Sequence, residues 1–224
     1  MKKPIKVFFV EDQPKILKNQ MKLLGRFDEI EITGKAMSGE DALDLLGDAK
    51  PDVILLDLGL PGISGIEVTK EVKEKWPEME ILIFTIFEEE DKVMEAIQAG
   101  ASGYLLKGME AEKIVEAIVE VAQGGSVIQP SLARSLLRHF RIQPGPETSG
   151  ADEKPQEDVP TLTPREIEIL QIIAKGLSNA EAGKVLGVSR ATIRTHLEHI
   201  YSKMSVSNRV EAITEGIRHG IIDV

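Results

Sequence analysis

The residues best suited to chemistry are Glu11, Asp12, Asp57, Thr85 and Lys107, and each stands where an apolar run gives way to polar sequence. Carboxylates offer hard oxygen ligands to a divalent cation or act as nucleophiles, an ammonium neutralises an anion, and a small hydroxyl can donate to an oxygen. Three carboxylates brought together repel one another, so their company is costly without a cation. Magnesium meets that need, because it takes oxygen ligands and keeps waters that phosphate oxygens can replace. Asp57 could then attack a phosphoryl group and form an acyl phosphate, while the metal and Lys107 neutralise the charge on the group transferred. Thr85 could swing to bond a phosphoryl oxygen. Taken singly, each residue is ordinarily a surface charge or a structural hydroxyl. The pattern gains weight because four strand ends out of five carry the right residue type.

Those strand ends must be brought together by the elements around them. Short β-branched runs at Ile5–Val10, Glu31–Ala36, Val53–Asp57, Ile81–Phe84 and Gly103–Leu106 alternate with helix-length segments. The segments begin near Pro14, Gly39, Gly65, Asp91 and Ala111. Val53-Ile-Leu-Leu and Ile81-Leu-Ile-Phe are apolar throughout, as expected of strands in a parallel sheet covered on both faces. Five βα units predict an α/β, doubly wound, five-stranded parallel sheet of flavodoxin-like type, which binds ligands beyond the carboxyl ends of its strands. Two other phosphate chemistries fail on detail. Gly59 to Gly65 is glycine-rich but lacks the Gly-Lys-Ser/Thr of a nucleotide-binding loop. Aspartate-based phosphatases carry a second acid two residues after the nucleophile, where this chain has Gly59.

The remainder of the chain has another character. Pro144, Gly145, Pro146, Pro155 and Pro160 sit among polar residues and predict a linker. Before it, Pro130 to Arg141 predicts a helix with Leu132, Leu136, Leu137 and Phe140 on one side. Residues 161–224 read as helical, with N-terminal boxes at Thr163-Pro-Arg-Glu166 and Ser178-Asn-Ala-Glu181 and a last helix from about Arg209 to His219. The net charge of −10 divides unevenly: residues 1–128 carry 15 Lys and Arg against 25 Asp and Glu, residues 161–224 carry 8 against 7. The second half can therefore approach phosphate although the whole chain is acidic.

Within that half, Ile193, Leu197, Ile200 and Met204 form one helical stripe that must face a core. The opposite face carries Ala191, Arg194, Thr195, Glu198 and Ser202, which suits a helix entering the major groove. The turn Gly187-Val-Ser189 joins it to the preceding helix at helix-turn-helix spacing. An ordinary amphipathic hairpin fits the periodicity equally well. His196 and His199 stand three apart, but they have only Glu198 beside them as a further ligand, which argues against a metal.

The motifs go further than the periodicity. Val10-Glu-Asp12, Leu55-Leu-Asp57-Leu-Gly-Leu-Pro61-Gly-Ile-Ser-Gly65, Phe84-Thr85 and Ala101-Ser-Gly-Tyr104-Leu-Leu-Lys107 resemble the receiver domain of two-component signalling, over residues 1–128. The resemblance implies that Asp57 is the phosphoacceptor and that Glu11, Asp12 and the main-chain carbonyl of Gly59 join it around Mg2+. It also makes Thr85 and Tyr104 a switch pair, in which Thr85 moves toward the phosphoryl oxygen and Tyr104 fills the space it leaves. Leu162-Thr-Pro-Arg-Glu166, Gly176-Leu-Ser-Asn179, Val188-Ser-Arg-Ala-Thr192-Ile-Arg194-Thr-His196-Leu and Ile200-Tyr-Ser-Lys203-Met resemble the LuxR-type four-helix DNA-binding domain. That likeness implies base reading by Arg194 and Thr195, and phosphate contacts from Thr192, Lys203 and Arg190. The whole chain is similar to the NarL/FixJ group of response regulators.

The chain departs from the group's pattern at Ala180 and Glu198, where cations are common, and at Ala182 and Gly183, which replace a larger pair. Fewer cations imply weaker non-specific DNA binding and a shallower salt dependence. Glu198 reads either as an acceptor for a cytosine amino group or as a repulsion against phosphate. A phosphorylation-controlled transcriptional regulator, not an enzyme, is the expected whole, with residues 129–160 as linker helix and tether. Its implied partners are a sensor histidine kinase, double-stranded DNA and a second copy when phosphorylated, with Val210, Ile213 and Ile217 as dimer contact or as core. A phosphate-handling enzyme using Asp57, or a helical half that binds protein, are the alternatives. The chain has no cysteine, and no run approaches the ~20 apolar residues that cross a bilayer, so the expectation is a cytoplasmic protein without a membrane partner.

Overall fold

Runs of β-branched and aromatic residues build one parallel sheet from β1 (Ile5–Val10), β2 (Ile30–Ala36), β3 (Val53–Leu56), β4 (Glu80–Thr85), β5 (Gly103–Leu106) and β6 (Val127–Ile128). The strand order is β2-β1-β3-β4-β5-β6. This is a computed structural model, and it describes residues 3–129, 132 and 162–222. The chain divides into two compact units, Met1–Gln129 and Pro130–Val224.

The predicted five strands are all present, and the sheet corrects their number to six. β6 lies beside β5, with Gly103 opposite Val127 and Tyr104 opposite Ile128. Two residues carry no readable alternation, so only the finished sheet reveals them as a strand. The Gln129 side-chain oxygen continues the pairing by accepting the Leu106 N–H at 3.3 Å. The third strand also ends one residue earlier than expected, at Leu56, and leaves Asp57 on the loop.

Helices α1 (Pro14–Leu24), α2 (Gly39–Ala49), α3 (Gly65–Lys75), α4 (Glu90–Gln98) and α5 (Ala111–Ala122) connect the strands. Val7, Phe9, Leu55, Leu82 and Leu105 pack on one face with Leu17 and Leu24 of α1 and Ile114, Ile118 and Val121 of α5. Intervening residues Phe8, Ile54, Leu56, Ile81 and Ile83 are as deeply buried on the other face, which accounts for the unbroken apolar runs. Each such side chain contributes about 1.5–3 kcal/mol relative to exposure.

The α3 start is shaped around Asp57. Ser64 and Glu67 close a capping box. A Cβ at Gly65 would collide with the Asp57 carbonyl oxygen and approach the Leu58 Cα at 2.8 Å, so the first helical residue must be glycine for the loop to turn. The Ile63 N–H donates to Glu40 of α2 at 3.0 Å, which pins the same loop from outside.

In the second unit, α6 (Pro164–Ala174), α7 (Asn179–Leu186), α8 (Arg190–Met204) and α9 (Arg209–Arg218) enclose Ile169, Leu170, Ile173, Ala182, Ile193, Leu197, Ile200 and Ala212. Thr163 with Glu166 and Ser178 with Glu181 form the two capping boxes expected from the sequence. Buried Arg209 donates to the carbonyls of Ile173 at 2.7 Å and Leu177 at 2.5 Å, satisfying the end of α6. The expected helix at Pro130 to Arg141 and the linker after it lie outside the described residues.

Gly183 is more than a weak spot in α7. Gly187 adopts φ +67 and its N–H, like that of Val188, returns to the Gly183 carbonyl. A Cβ on Gly183 would stand 2.8 Å from the Val188 carbonyl oxygen. Helix propensity alone expects Gly183→Ala to stabilise by ~1 kcal/mol. The close approach of the turn reverses that sign, and the substitution is expected to destabilise the helical unit by about 1–3 kcal/mol. Chemical denaturation of the full chain checks it, and a gain in stability would show that the turn yields.

Candidate functional site

The pocket lies where the strand order reverses, between β1 and β3, at the carboxyl edge of the sheet. The Asp57 N–H donates to the Val10 carbonyl at 3.0 Å and the Glu11 N–H to Ala36 at 3.2 Å, so the ladder itself carries both acids to the rim. Likewise the Lys107 N–H donates to the Thr85 carbonyl at 2.7 Å. Oxygens of Glu11, Asp12 and Asp57 come within 4.8 Å of one another.

One cation holds this arrangement together. The Lys107 ammonium sits 2.6 Å from Asp57 Oδ2 and 2.5 Å from Glu11 Oε2, all three side chains being largely buried. Burial works against the ammonium's charge, but the hydrogen bonds and fields of Asp57 and Glu11 outweigh it and raise the Lys107 pKa. Glu11 also accepts from the Gln20 side chain at 3.3 Å and the Gln13 N–H at 3.4 Å. Asp57 Oδ1 accepts the Gly59 N–H at 3.4 Å.

Two oxygens are left over. Among the described residues, the buried side-chain polar atoms without a hydrogen-bond partner are Asp12 Oδ1 and Thr85 Oγ1. Each such atom costs about 1–3 kcal/mol, and both lie at this sheet edge. Three acids, one ammonium and an orphaned carboxylate oxygen fit a hard divalent cation.

Tyr104 is fully buried, and its hydroxyl donates to the Phe87 carbonyl at 2.9 Å. Burial, with the nearby Glu89 and Asp57, pushes its pKa well up, so it stays a neutral donor. Thr85 is also fully buried, on the strand that pairs with that of Tyr104. The Phe87 ring lies over Gly59, where a Cβ would meet it at 3.3 Å. Gln20 escaped the sequence reading. Its signal was a glutamine on the α1 stripe of Leu17, Met21 and Leu24.

On the helical unit, Arg190, Ala191, Thr192, Thr195, Glu198 and Ser202 are exposed along α8, while Ile193, Leu197, Ile200 and Met204 are buried. The Arg194 Nε pairs with Glu198 at 3.4 Å, one turn on. Ser189 caps the helix and its hydroxyl meets that of Thr192 at 2.8 Å. Lys203 is engaged inside the unit: its ammonium bonds both oxygens of Glu166 at 2.9 and 2.7 Å. Burial pushes the Glu166 carboxyl up, but Lys203 and Thr163 together hold it below the usual carboxylate range. On α9 the core side is Arg209, Ala212 and Gly216, with Ile213 packed at its margin and Ile217 exposed.

A sheet that presents an acidic pocket and a separate helix-turn-helix are the working parts of a regulator that couples phosphate chemistry to DNA. Comparison with known proteins agrees. Residues 7–119 match the response regulator receiver domain, and residues 160–215 match the bacterial regulatory proteins of the luxR family. The chain is 32% identical to the transcriptional regulatory protein DegU of Brevibacillus brevis, over 98% of this chain and 96% of that one. It is 33% identical to the nitrate/nitrite response regulator NarL of Escherichia coli K12, over 93% of each. The crystal structure of the response regulator ChrA, of a heme-sensing two-component system, matches with a TM-score of 0.52 and 32% identity over 98% of this chain and 99% of that one. The chain belongs to the two-component response regulators with a LuxR-type DNA-binding domain. No helix among the described residues is long and apolar enough to cross a membrane.

The charge balance of the pocket sets a stability test. Three carboxylates face one ammonium, so removing one charge relieves repulsion. Asp57→Asn is expected to raise the stability of the full chain in a low-salt buffer with chelator, on the order of 1 kcal/mol or more. Magnesium should narrow the gap by stabilising the parent more. Thermal melts with and without the ion decide it, and a variant less stable than the parent in chelator would mean that the Lys107 ion pair dominates.

Proposed function

We propose that Asp57 takes a phosphoryl group from a sensor histidine kinase and that this change controls DNA binding by α8. A carboxylate oxygen of Asp57 forms the new bond to phosphorus as the bond from phosphorus to the donor imidazole nitrogen breaks, its electron pair returning to the ring. A magnesium ion held by Glu11, Asp12, Asp57 and the Gly59 carbonyl would supply charge neutralisation for the group in transfer. Lys107 turns its ammonium to a phosphoryl oxygen, and Thr85 gives its unpartnered hydroxyl to another. Tyr104, bonded to the Phe87 carbonyl, links that movement to the loop between β4 and α4. The observation that carries this reading is the gathering of Glu11, Asp12 and Asp57 around Lys107, with the orphaned Asp12 and Thr85 oxygens beside it.

Hydrolysis of the adduct is expected to be slow. Gly59 has no side chain to hold a water, and Phe87 presents an apolar ring against it. Mass spectrometry of the full chain with acetyl phosphate and magnesium should show a labile adduct that Asp57→Asn abolishes. Absence of the adduct would end the reading, and a decay half-time of seconds would end its slow-hydrolysis part.

In the helical unit we propose that Arg194 and Thr195 read bases, while Thr192, and with it Arg190, contacts phosphate. Glu198 braces Arg194 through their one-turn ion pair. Lys203 is placed to contribute to phosphate binding only by sharing an ammonium already bonded to Glu166. Residues 129–160 serve as the tether, and Val210, Ile213 and Ile217 pair two protomers on DNA half-sites. Arg194→Ala is expected to weaken specific DNA binding by about 1–3 kcal/mol and to relax base preference. Lys203→Ala should cost mainly stability, because it leaves the buried Glu166 carboxylate without its cation and with only the Thr163 donors. Mobility shifts against matched and scrambled sites, run beside denaturation, separate the two. Undiminished binding by Arg194→Ala would favour a protein partner for this face.

A further inference from the structure

The receiver chemistry uses Glu11 but does not explain what keeps it in place. Glu11 is 1% exposed, and its Oε2 accepts two hydrogen bonds, one from Lys107 and one from Gln20 of α1. The lysine bond is the stronger, at 2.5 Å, but it is shared with Asp57 Oδ2. Once Asp57 carries a phosphoryl group, one of its oxygens bridges to phosphorus in a mixed anhydride, the other is a neutral carbonyl, and the negative charge sits on the terminal phosphoryl oxygens. The ammonium then turns toward them. Glu11 then keeps the metal but loses its strongest donor, and its orientation falls to the donors that remain.

We infer that Gln20 is a positioning residue, holding the Glu11 carboxylate in its metal-facing orientation both while Lys107 divides its ammonium between Glu11 and Asp57 and after it is drawn away. This deepens the reading of Asp57 as phosphoacceptor and rests on it for the lysine's movement. The glutamine suits the task on three counts. It reaches Oε2 from a helix anchored by Leu17 and Leu24, at 2% and 1% exposure, so its own place does not depend on the pocket. Its bond falls on the same oxygen that Lys107 occupies, leaving Oε1, with only the 3.4 Å contact from the Gln13 N–H, for the metal side. Its amide is neutral, so it donates without the competing charge that a lysine would set against a cation. Outer partners of this kind commonly contribute ten- to a hundredfold to metal affinity.

The test uses the full chain and magnesium alone. Gln20→Met keeps length and loses the donor, and Gln20→Asn keeps the amide but falls short of Glu11. Two readouts are taken: the magnesium concentration giving half-maximal Asp57 phosphorylation by acetyl phosphate, and the magnesium-induced rise in melting temperature without any phosphodonor. Both variants should need about tenfold more magnesium in each assay, with the phosphorylation plateau unchanged and the melt in chelator still cooperative. Parent-like magnesium dependence in both variants overturns the inference. So does a lowered plateau with unaltered magnesium dependence, which would place Gln20 outside the metal's neighbourhood. If the parent itself forms no adduct at any magnesium concentration, the phosphoacceptor reading falls, while the melting assay still decides whether Gln20 sets the ion's affinity.

Discussion

One ammonium set among three carboxylates governs the first unit of this protein. Lys107 reaches Asp57 and Glu11 from a different strand, so the contact exists only if the ends of β1, β3 and β5 converge on one rim. Parallel pairing sets Val10 opposite Leu56, Leu56 opposite Ile83 and Ile83 opposite Tyr104, and β5 runs two residues further before Lys107 turns back over the acids. The apolar strands behind the rim lower the local dielectric and make the ion pairs strong. They also make any unpaired charge costly. The pocket is therefore held in tension, stable enough to fold and short of two positive charges. An incoming divalent ion answers that shortage, and only with it in place can the pocket take on the further negative charge of a phosphoryl group.

The helical unit settles its polar groups differently. Its buried charges are spent internally: Arg209 closes the end of α6, and Glu166 joins a capping box to Lys203. These ties fix the helices so that α8 can leave a row of short polar side chains in solvent without needing them for its own packing. The Thr195 hydroxyl bonds the Ala191 carbonyl one turn back, at 3.2 Å. Its proton is thereby occupied and its lone pairs are left to accept.

Much of this was legible in the sequence because it depends on local pattern. Val53-Ile-Leu-Leu announced a strand covered on both sides, Thr163 to Glu166 announced a helix start, and the five chemical residues sat at strand ends. What escaped depends on distance in space. Nothing near Lys203 in sequence signals Glu166, which is 37 residues away, and so a residue expected at phosphate is found bridging two helices. Gln20 stood on an apolar stripe without any local sign of Glu11. Gly183 read as a propensity defect because the carbonyl that excludes a Cβ belongs to the following turn. The sixth strand was too short to show a period.

That short strand has a consequence for the sheet's open border. β5 would otherwise present bare N–H and C=O groups beside Leu105 and Leu106, a template on which another chain could add itself. Val127 and Ile128 cover the first half of this border, and the Gln129 amide oxygen occupies a position a third strand residue would take. A receiver cut before Val127 would keep every residue of its acidic pocket and still expose an adhesive flank. Those three residues close the flank from outside the pocket.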